Sequence, residues 1–367
     1  MNRRMNLPSS PMNAPVLHDE AIYIVGAGAQ TPVGRSVLAA AAAVRCGISA
    51  YSEHPFMIDK NSEPIIVAGA KWLEETLPLT DRIVTLAVDA AQEALFPIAS
   101  QLSALCRQIH VHIALSAENL PDPAQRQRVL DGFATAASFI VADTPIEPVA
   151  DGHAGGLLAL ENAVSQLRRG EAHLCLVGGA DSWLDPERLE AIDLAGRLHS
   201  VNYSWGFTPG EGAGFCLITT GAIARRFHLK PLAELLAVAT AQEAKLMGTQ
   251  TICLGEGLTA AFRGILNHRH RVTYSYCDLN GETYRAEEYG FTVCRTSEYF
   301  EDASSFSAPA ECWGDVGAAS GPVTLTLPLA AWNRGYAKGS VNLCWTSSAC
   351  GPLRAAALLR QCVGSGD

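Results

Sequence analysis

From residue 21 to residue 359, short apolar runs alternate with helix-length stretches, and this alternation confines the chain to an α/β architecture. In the first half the spacing predicts strands over 21–26, 109–115, 139–142, 173–178 and 213–219. Helices are expected between them over 34–46, 80–96, 126–138, 156–169 and 186–195. The helix at 156–169 places Leu157, Leu160, Ala163, Val164 and Leu167 on one apolar face. A second half starts near Pro231, with strands over 232–241, 272–277, 340–345 and 353–359 and helices over 256–267, 283–297 and 318–331. Alternation alone yields "α/β" and says nothing of duplication.

The 367 residues can bury a large core, and a charged fraction of 17% against 48% hydrophobic residues suits one. A net charge of −10 argues against a nucleic-acid surface. Arg225-Arg226 and His268-Arg269-His270-Arg271 read as solvated helix ends or loops. Eleven cysteines, an odd number with no close pairing, suit a reducing compartment, and Cys175, Cys216, Cys294 and Cys344 sit in apolar runs as small hydrophobes. There is no CxxC metal spacing, and His110 and His112 belong to an alternating strand rather than a ligand set. No metal and no cofactor are expected. The first 20 residues lack a continuous apolar segment and read as a flexible arm, not a signal peptide. With no run of about 20 uninterrupted apolar residues, the chain is expected in the cytoplasm, without a membrane partner. The turn Gly26-Ala-Gly28-Ala-Gln-Thr31-Pro-Val-Gly34 has Thr31 where a dinucleotide fingerprint needs its third glycine. No acidic residue ends a second strand at the usual distance, so a Rossmann site is excluded.

Three segments carry a family resemblance. Gly206-Phe-Thr-Pro209-Gly-Glu-Gly-Ala-Gly214 resembles the GF-x-PGEGAG signature of β-ketoacyl-acyl-carrier-protein synthases of the thiolase superfamily. Leu176-Val-Gly178-Gly179-Ala-Asp181 resembles their GG strand end, and Gly314-Asp315-Val-Gly-Ala318-Ala319-Ser-Gly321 resembles their GH-x3-AAG loop. The likeness runs in family order over about residues 20–360. It implies the thiolase fold, with duplicated βαβαβ halves in a five-layer α-β-α-β-α arrangement around two central sheets. The expected organisation is an N-terminal arm over 1–20, a first half over 21–225 and a second over 226–367.

The reactive positions depart from the family. Its nucleophilic cysteine falls on His153, within Gly152-His153-Ala154-Gly155. An acyl-imidazole is too labile to hold an acyl group for condensation, and a helix dipole disfavours imidazolium at this N-terminus. The first family histidine falls on Asp278 or Asn280, depending on the gap chosen, and the second on Asp315. A carboxylate there repels a malonyl carboxylate and donates no hydrogen bond to an enolate. The glycine-rich C-terminal turn reads Thr346-Ser-Ser-Ala-Cys350-Gly351-Pro352, with one glycine left. If the family geometry holds, His153, Asp278, Glu282 and Asp315 converge, either as hydrogen-bonded remnants or as a new imidazole–carboxylate cluster for general-base hydrolysis or a divalent metal.

A further likeness, in Asp278-Leu-Asn-Gly-Glu282-x-Tyr-Arg285 and Pro309–Pro322, is to a bacterial thiolase-like subgroup encoded beside type VI secretion loci. It implies an accessory, adaptor or chaperone-like protein, linked to loading of a secretion effector or spike. The alternatives are an acyl-thioester hydrolase or acyltransferase using His153, and a chain-length-factor-like partner of an active ketosynthase. The expected partners are a second copy, pairing through the strand at 139–143, a secretion effector, spike or adaptor protein, and an acyl carrier protein.

Overall fold

The structure is a computed structural model, described here for residues 20–101, 105, 109–137, 145–246, 249 and 251–362. The twelve described strands are β1 (Ile22–Gln30), β2 (Tyr51–Ile58), β3 (Pro64–Ala68), β4 (Ile109–Ala114), β5 (Ile146–Val149), β6 (Leu174–Ser182), β7 (Glu211–Thr220), β8 (Ala233–Gln242), β9 (Tyr274–Cys277), β10 (Phe306–Ser307), β11 (Val341–Ser347) and β12 (Leu353–Gln361). The helices in chain order are α1 (Val37–Cys46), α2 (Leu79–Leu95), α3 (Pro123–Ala136), α4 (Gly155–Arg168), α5 (Pro186–Leu194), α6 (Gly221–Arg226), α7 (Glu256–Ile265), α8 (Thr283–Thr296), α9 (Ala310–Trp313) and α10 (Ser320–Asn333).

Ten strands lie in the order β10-β9-β11-β12-β8-β1-β7-β6-β4-β5. The order is a repeat. β1 pairs antiparallel with β7, β7 antiparallel with β6, and β4 parallel with both β6 and β5. In the second half β8, β12, β11, β9 and β10 follow the same sequence of antiparallel and parallel ladders. The two halves are hydrogen-bonded to each other where Ile22, Tyr23 and Ile24 oppose Leu235, Glu234 and Ala233. The expected two sheets are therefore continuous at β1 and β8.

Layering follows from the two-residue period of the strands. In β6, Cys175 and Val177 join the central core with α4 and α10, while Leu174 and Leu176 face the outer core with α2 and α3. In β12, Ala355, Ala357 and Leu359 point to the same central core, and Ala356 and Leu358 to an outer one with α7 and α8. Both faces of each half-sheet are thus covered, which is why the strands read as nearly continuous apolar runs. α10 is buried on every side but its last residue, Asn333, and α4 buries Leu157, Leu160, Ala163, Val164 and Leu167, the face read from sequence. The two helices meet closely: a Cβ on Gly156 would lie 2.3 Å from Pro322.

Residues 79–101 are long and apolar enough to cross a membrane by length and composition. Their helix packs as part of the outer core, with Ile83, Leu86, Ala87, Ala90, Ala91 and Ala94 buried. The β2–β3 hairpin escapes sequence reading because β2 has no buried residue and β3 is only five residues long. The expected strand at 139–142, and with it the proposed dimer edge, lies outside the described residues.

Candidate functional site

The turn between β5 and α4 carries His153, and the loop between α9 and α10 carries Asp315. His153 Nε2 is 2.8 Å from Asp315 Oδ1 and 2.9 Å from Oδ2, and the two side chains are 1% and 2% exposed. Asp315 also accepts from Trp183 Nε1 (3.1 Å), Gly317 N (2.8 Å) and Asn280 Nδ2 (2.7 Å). Its backbone is fixed by the Pro209–Gly214 run: Gly210 N donates to Asp315 O and Asp315 N to Thr208 O, each at 2.8 Å. Gly210 must be glycine, since a Cβ there would lie 2.4 Å from Trp313 O. Next in that run, Glu211 receives Arg82 Nη2 at 2.6 Å and Ser182 Oγ at 3.0 Å. The intact signature holds the turn.

The other two site residues belong to a second set of pairs. Asp278 Oδ2 accepts from Arg285 Nη1 at 2.8 Å and from Ser347 N at 2.9 Å. Glu282 accepts from Arg197 Nε at 2.8 Å and from Asn280 Nδ2 at 3.1 Å, with Arg285 Nε 3.5 Å away. Asn280 therefore bridges Glu282 and Asp315, whereas Asp278 turns toward Arg285. His153, Asp315, Asn280 and Glu282 form one connected network. Asp278 joins it through Arg285.

Charge decides the protonation of the central pair. Burial alone would lower the pKa of His153, but the charge and hydrogen bond of Asp315 outweigh it and raise it above its usual value. Burial would raise Asp315, but His153, with help from Arg285 and Gly317 N–H, holds it far below the carboxylate range. The helix-end argument for a neutral imidazole is thereby corrected: a carboxylate at 2.8 Å exceeds the dipole. One ring nitrogen, Nδ1, is buried without a hydrogen-bond partner among the described residues.

Access is narrow. A void of about 10 Å³, room for one water at most, touches Asp278 and Asp315. A 370 Å³ cleft opens on the other side of the 280–282 turn, lined by Asn280, Gly281, Glu282, His199, Thr208 and Tyr51, with neither His153 nor Asp315 in its wall. At the start of α4, Ala154 N donates to Ser348 Oγ at 3.2 Å, and Ser348 Oγ donates to Asp151 Oδ1 at 3.1 Å. The rebuilt C-terminal turn thus occupies a backbone donor beside His153.

Several contributors were not singled out from sequence. Arg285 is wholly buried, Arg197 links Glu282 to Glu118, and Trp183 caps Asp315. Asp181, whose pKa is pushed up to about 7 by burial, accepts from Asn119, Ser182 N and Ala318 N. The one local signal was an excess of acidic residues on the 278–288 stretch around a single arginine, which calls for internal pairing. In the strand pair His110-x-His112, His112 is buried with Nε2 donating to Gln166 Oε1 at 3.1 Å.

Residues 149–223 match the N-terminal domain model of β-ketoacyl synthase. Sequence relatives include the highly reducing polyketide synthase sorA of Penicillium rubens, 36% identical over 70 residues, which are 17% of this chain and 3% of the relative. Polyketide synthase PksN of Bacillus subtilis is 31% identical over 87 residues, 22% of this chain and 2% of the relative. The chain therefore spans only a few per cent of the curated relatives it matches. Among solved structures, the ishigamide ketosynthase/chain length factor superposes with TM-score 0.76 and 17% identity, over 94% of this chain and 100% of that one. A ketosynthase from module 6 of the bacillaene synthase of Bacillus subtilis gives 0.75 and 16%, over 94% and 72%. A type II ketosynthase complexed with its acyl-carrier protein gives 0.75 and 16%, over 94% and 100%. The chain has the thiolase-like ketosynthase fold, with a β-ketoacyl-synthase sequence match over 149–223, a segment that includes His153 near its start.

Proposed function

We propose that this is a catalytically degenerate ketosynthase-like protein, used as an accessory or adaptor that binds another protein. The observation that carries the reading is the bidentate contact of His153 Nε2 with Asp315, buried and clamped by three further donors. The nitrogen held by that carboxylate is occupied and acts as neither nucleophile nor base, and the ring's other nitrogen, Nδ1, is buried. The likeness to the subgroup encoded beside type VI secretion loci supplies the partner class: a secretion effector, spike or adaptor protein, bound by a homodimer.

The test has two arms. Incubation with acyl and malonyl carrier-protein thioesters is expected to give no β-ketoacyl product, and His153→Cys alone is expected not to restore it. Affinity capture from the native host is then expected to recover a secretion component. Robust ketoacyl product from the unmodified protein overturns the reading.

Two other readings have an observation each. The unpartnered Nδ1 of His153 favours a thioester hydrolase or acyltransferase. That reading requires His153→Ala to abolish hydrolysis while leaving the fold intact. The likeness to a ketosynthase/chain length factor favours a subunit that works beside an active ketosynthase and an acyl carrier protein. That reading requires co-purification with an intact synthase.

A further inference from the structure

On the outer side of the second half-sheet, where α7 and α8 pack, three elements bring ligand atoms together. Glu243 follows β8, Cys253 precedes α7 and Glu288 lies on α8, and one ligand atom from each lies within 4.8 Å of the others. Glu243 is 1% and Glu288 0% exposed. Arg354 pairs with Glu288, its Nε 2.5 Å from Glu288 Oε1. The neighbouring Lys245 instead places its Nζ on the surface residue Glu256, at 3.1 Å. Among the described residues, Glu243 receives only backbone N–H groups, from Lys245 and Gly257. The second oxygen of Glu288, Oε2, is buried without a hydrogen-bond partner among the described residues. Among the described residues Glu243 is paired with no cation and Glu288 keeps one oxygen unsatisfied, a costly arrangement in a core.

We propose that Glu243, Cys253 and Glu288 form a binding site for one divalent transition-metal ion of the zinc class, completed by solvent. A sulfur donor beside two carboxylates selects zinc, cobalt or ferrous ions over magnesium or calcium. Cys253 Sγ already lies 3.8 Å from Glu288 Oε1, and its pKa is pushed up to about 11 by burial and by both carboxylates. Binding therefore forms a metal–thiolate bond and releases the Cys253 proton to solvent. Arg354 holds the Glu288 carboxyl in place as an outer-shell partner.

Titration of the full chain with Co²⁺ tests the site. One equivalent is expected to bind, with a near-ultraviolet sulfur-to-cobalt charge-transfer band that Zn²⁺ displaces. Cys253→Ser is expected to remove the band, while Cys350→Ser, at an exposed thiol, leaves it unchanged. Arg354→Gln is expected to weaken binding about 10–100-fold through the outer shell. In the unmodified protein, Zn²⁺ is expected to protect Cys253 from iodoacetamide, which requires no variant to fold. No stoichiometric binding, a band that survives Cys253→Ser, or Cys253 alkylated equally with and without Zn²⁺ overturns the proposal.

Discussion

His153 and Asp315 leave water together, and each is tolerable in the core only because of the other. His153→Ala strands a carboxylate with no cation in direct contact, so a loss of about 3–5 kcal/mol is expected in urea denaturation. This exceeds the roughly 0.5–3 kcal/mol of an ordinary substitution, which sequence alone would suggest. The pair also sets a pH window. His153, raised on folding, contributes fully below its unfolded value of 6.5 and less as pH rises through its folded value. Asp315, depressed on folding, contributes fully above 3.8 and less as pH falls through its folded value. The stability difference between the native protein and a His153→Ala/Asp315→Ala variant is therefore expected to be greatest between pH 3.8 and 6.5. A difference that grows steadily above pH 7 contradicts the pairing. Nuclear magnetic resonance of the His153 ring is expected to report imidazolium above pH 6.5 as well.

Among the elements, α8 is tied to the site by one side chain. Arg285 reaches Asp278 and the carbonyl of Ser347, both at 2.8 Å, so it joins the helix to the end of β9 and to the rebuilt turn after β11. Arg285→Leu is expected to cost about 3–5 kcal/mol, since it leaves Asp278 buried without its cation. Calorimetry checks it, and a near-neutral result means that Asp278 is solvated. The loop into α10 has its own constraint at Gly317, where φ is +51° and a Cβ would lie 1.9 Å from Asp181 Oδ2. Gly317→Ala is expected to push Asp181 out of its contacts with Asn119 and Ala318 N and to lower the melting temperature. A Gly317→Ala variant with unchanged stability shows that the loop gives way freely.

Across the whole molecule, the fold is what the comparisons share. The two half-sheets and the two buried helices between them are ketosynthase-like, yet the groups at the expected reactive positions are spent on one another. Under the proposed function no condensation is expected on this scaffold, and a carrier-protein assay measures it directly. Much of the fold was legible in sequence because buried strands and central helices must be apolar with fixed periods. The runs at 174–182, 211–220, 320–333 and 353–361 are nearly all buried, so composition and periodicity expose them. The positions of His153 and Asp315 were legible too, because each lies in a glycine-marked turn whose geometry tolerates few alternatives. Pairing was decided elsewhere. That Asn280 rather than Asp278 meets Asp315, that Arg285 holds the Ser347 carbonyl, and that β1 joins β8 depend on contacts between residues tens to hundreds of positions apart. Local spacing carries no information on such distances. Only the closed tertiary structure sets which charges share a low-dielectric site, and therefore which of them titrate, pair or bind.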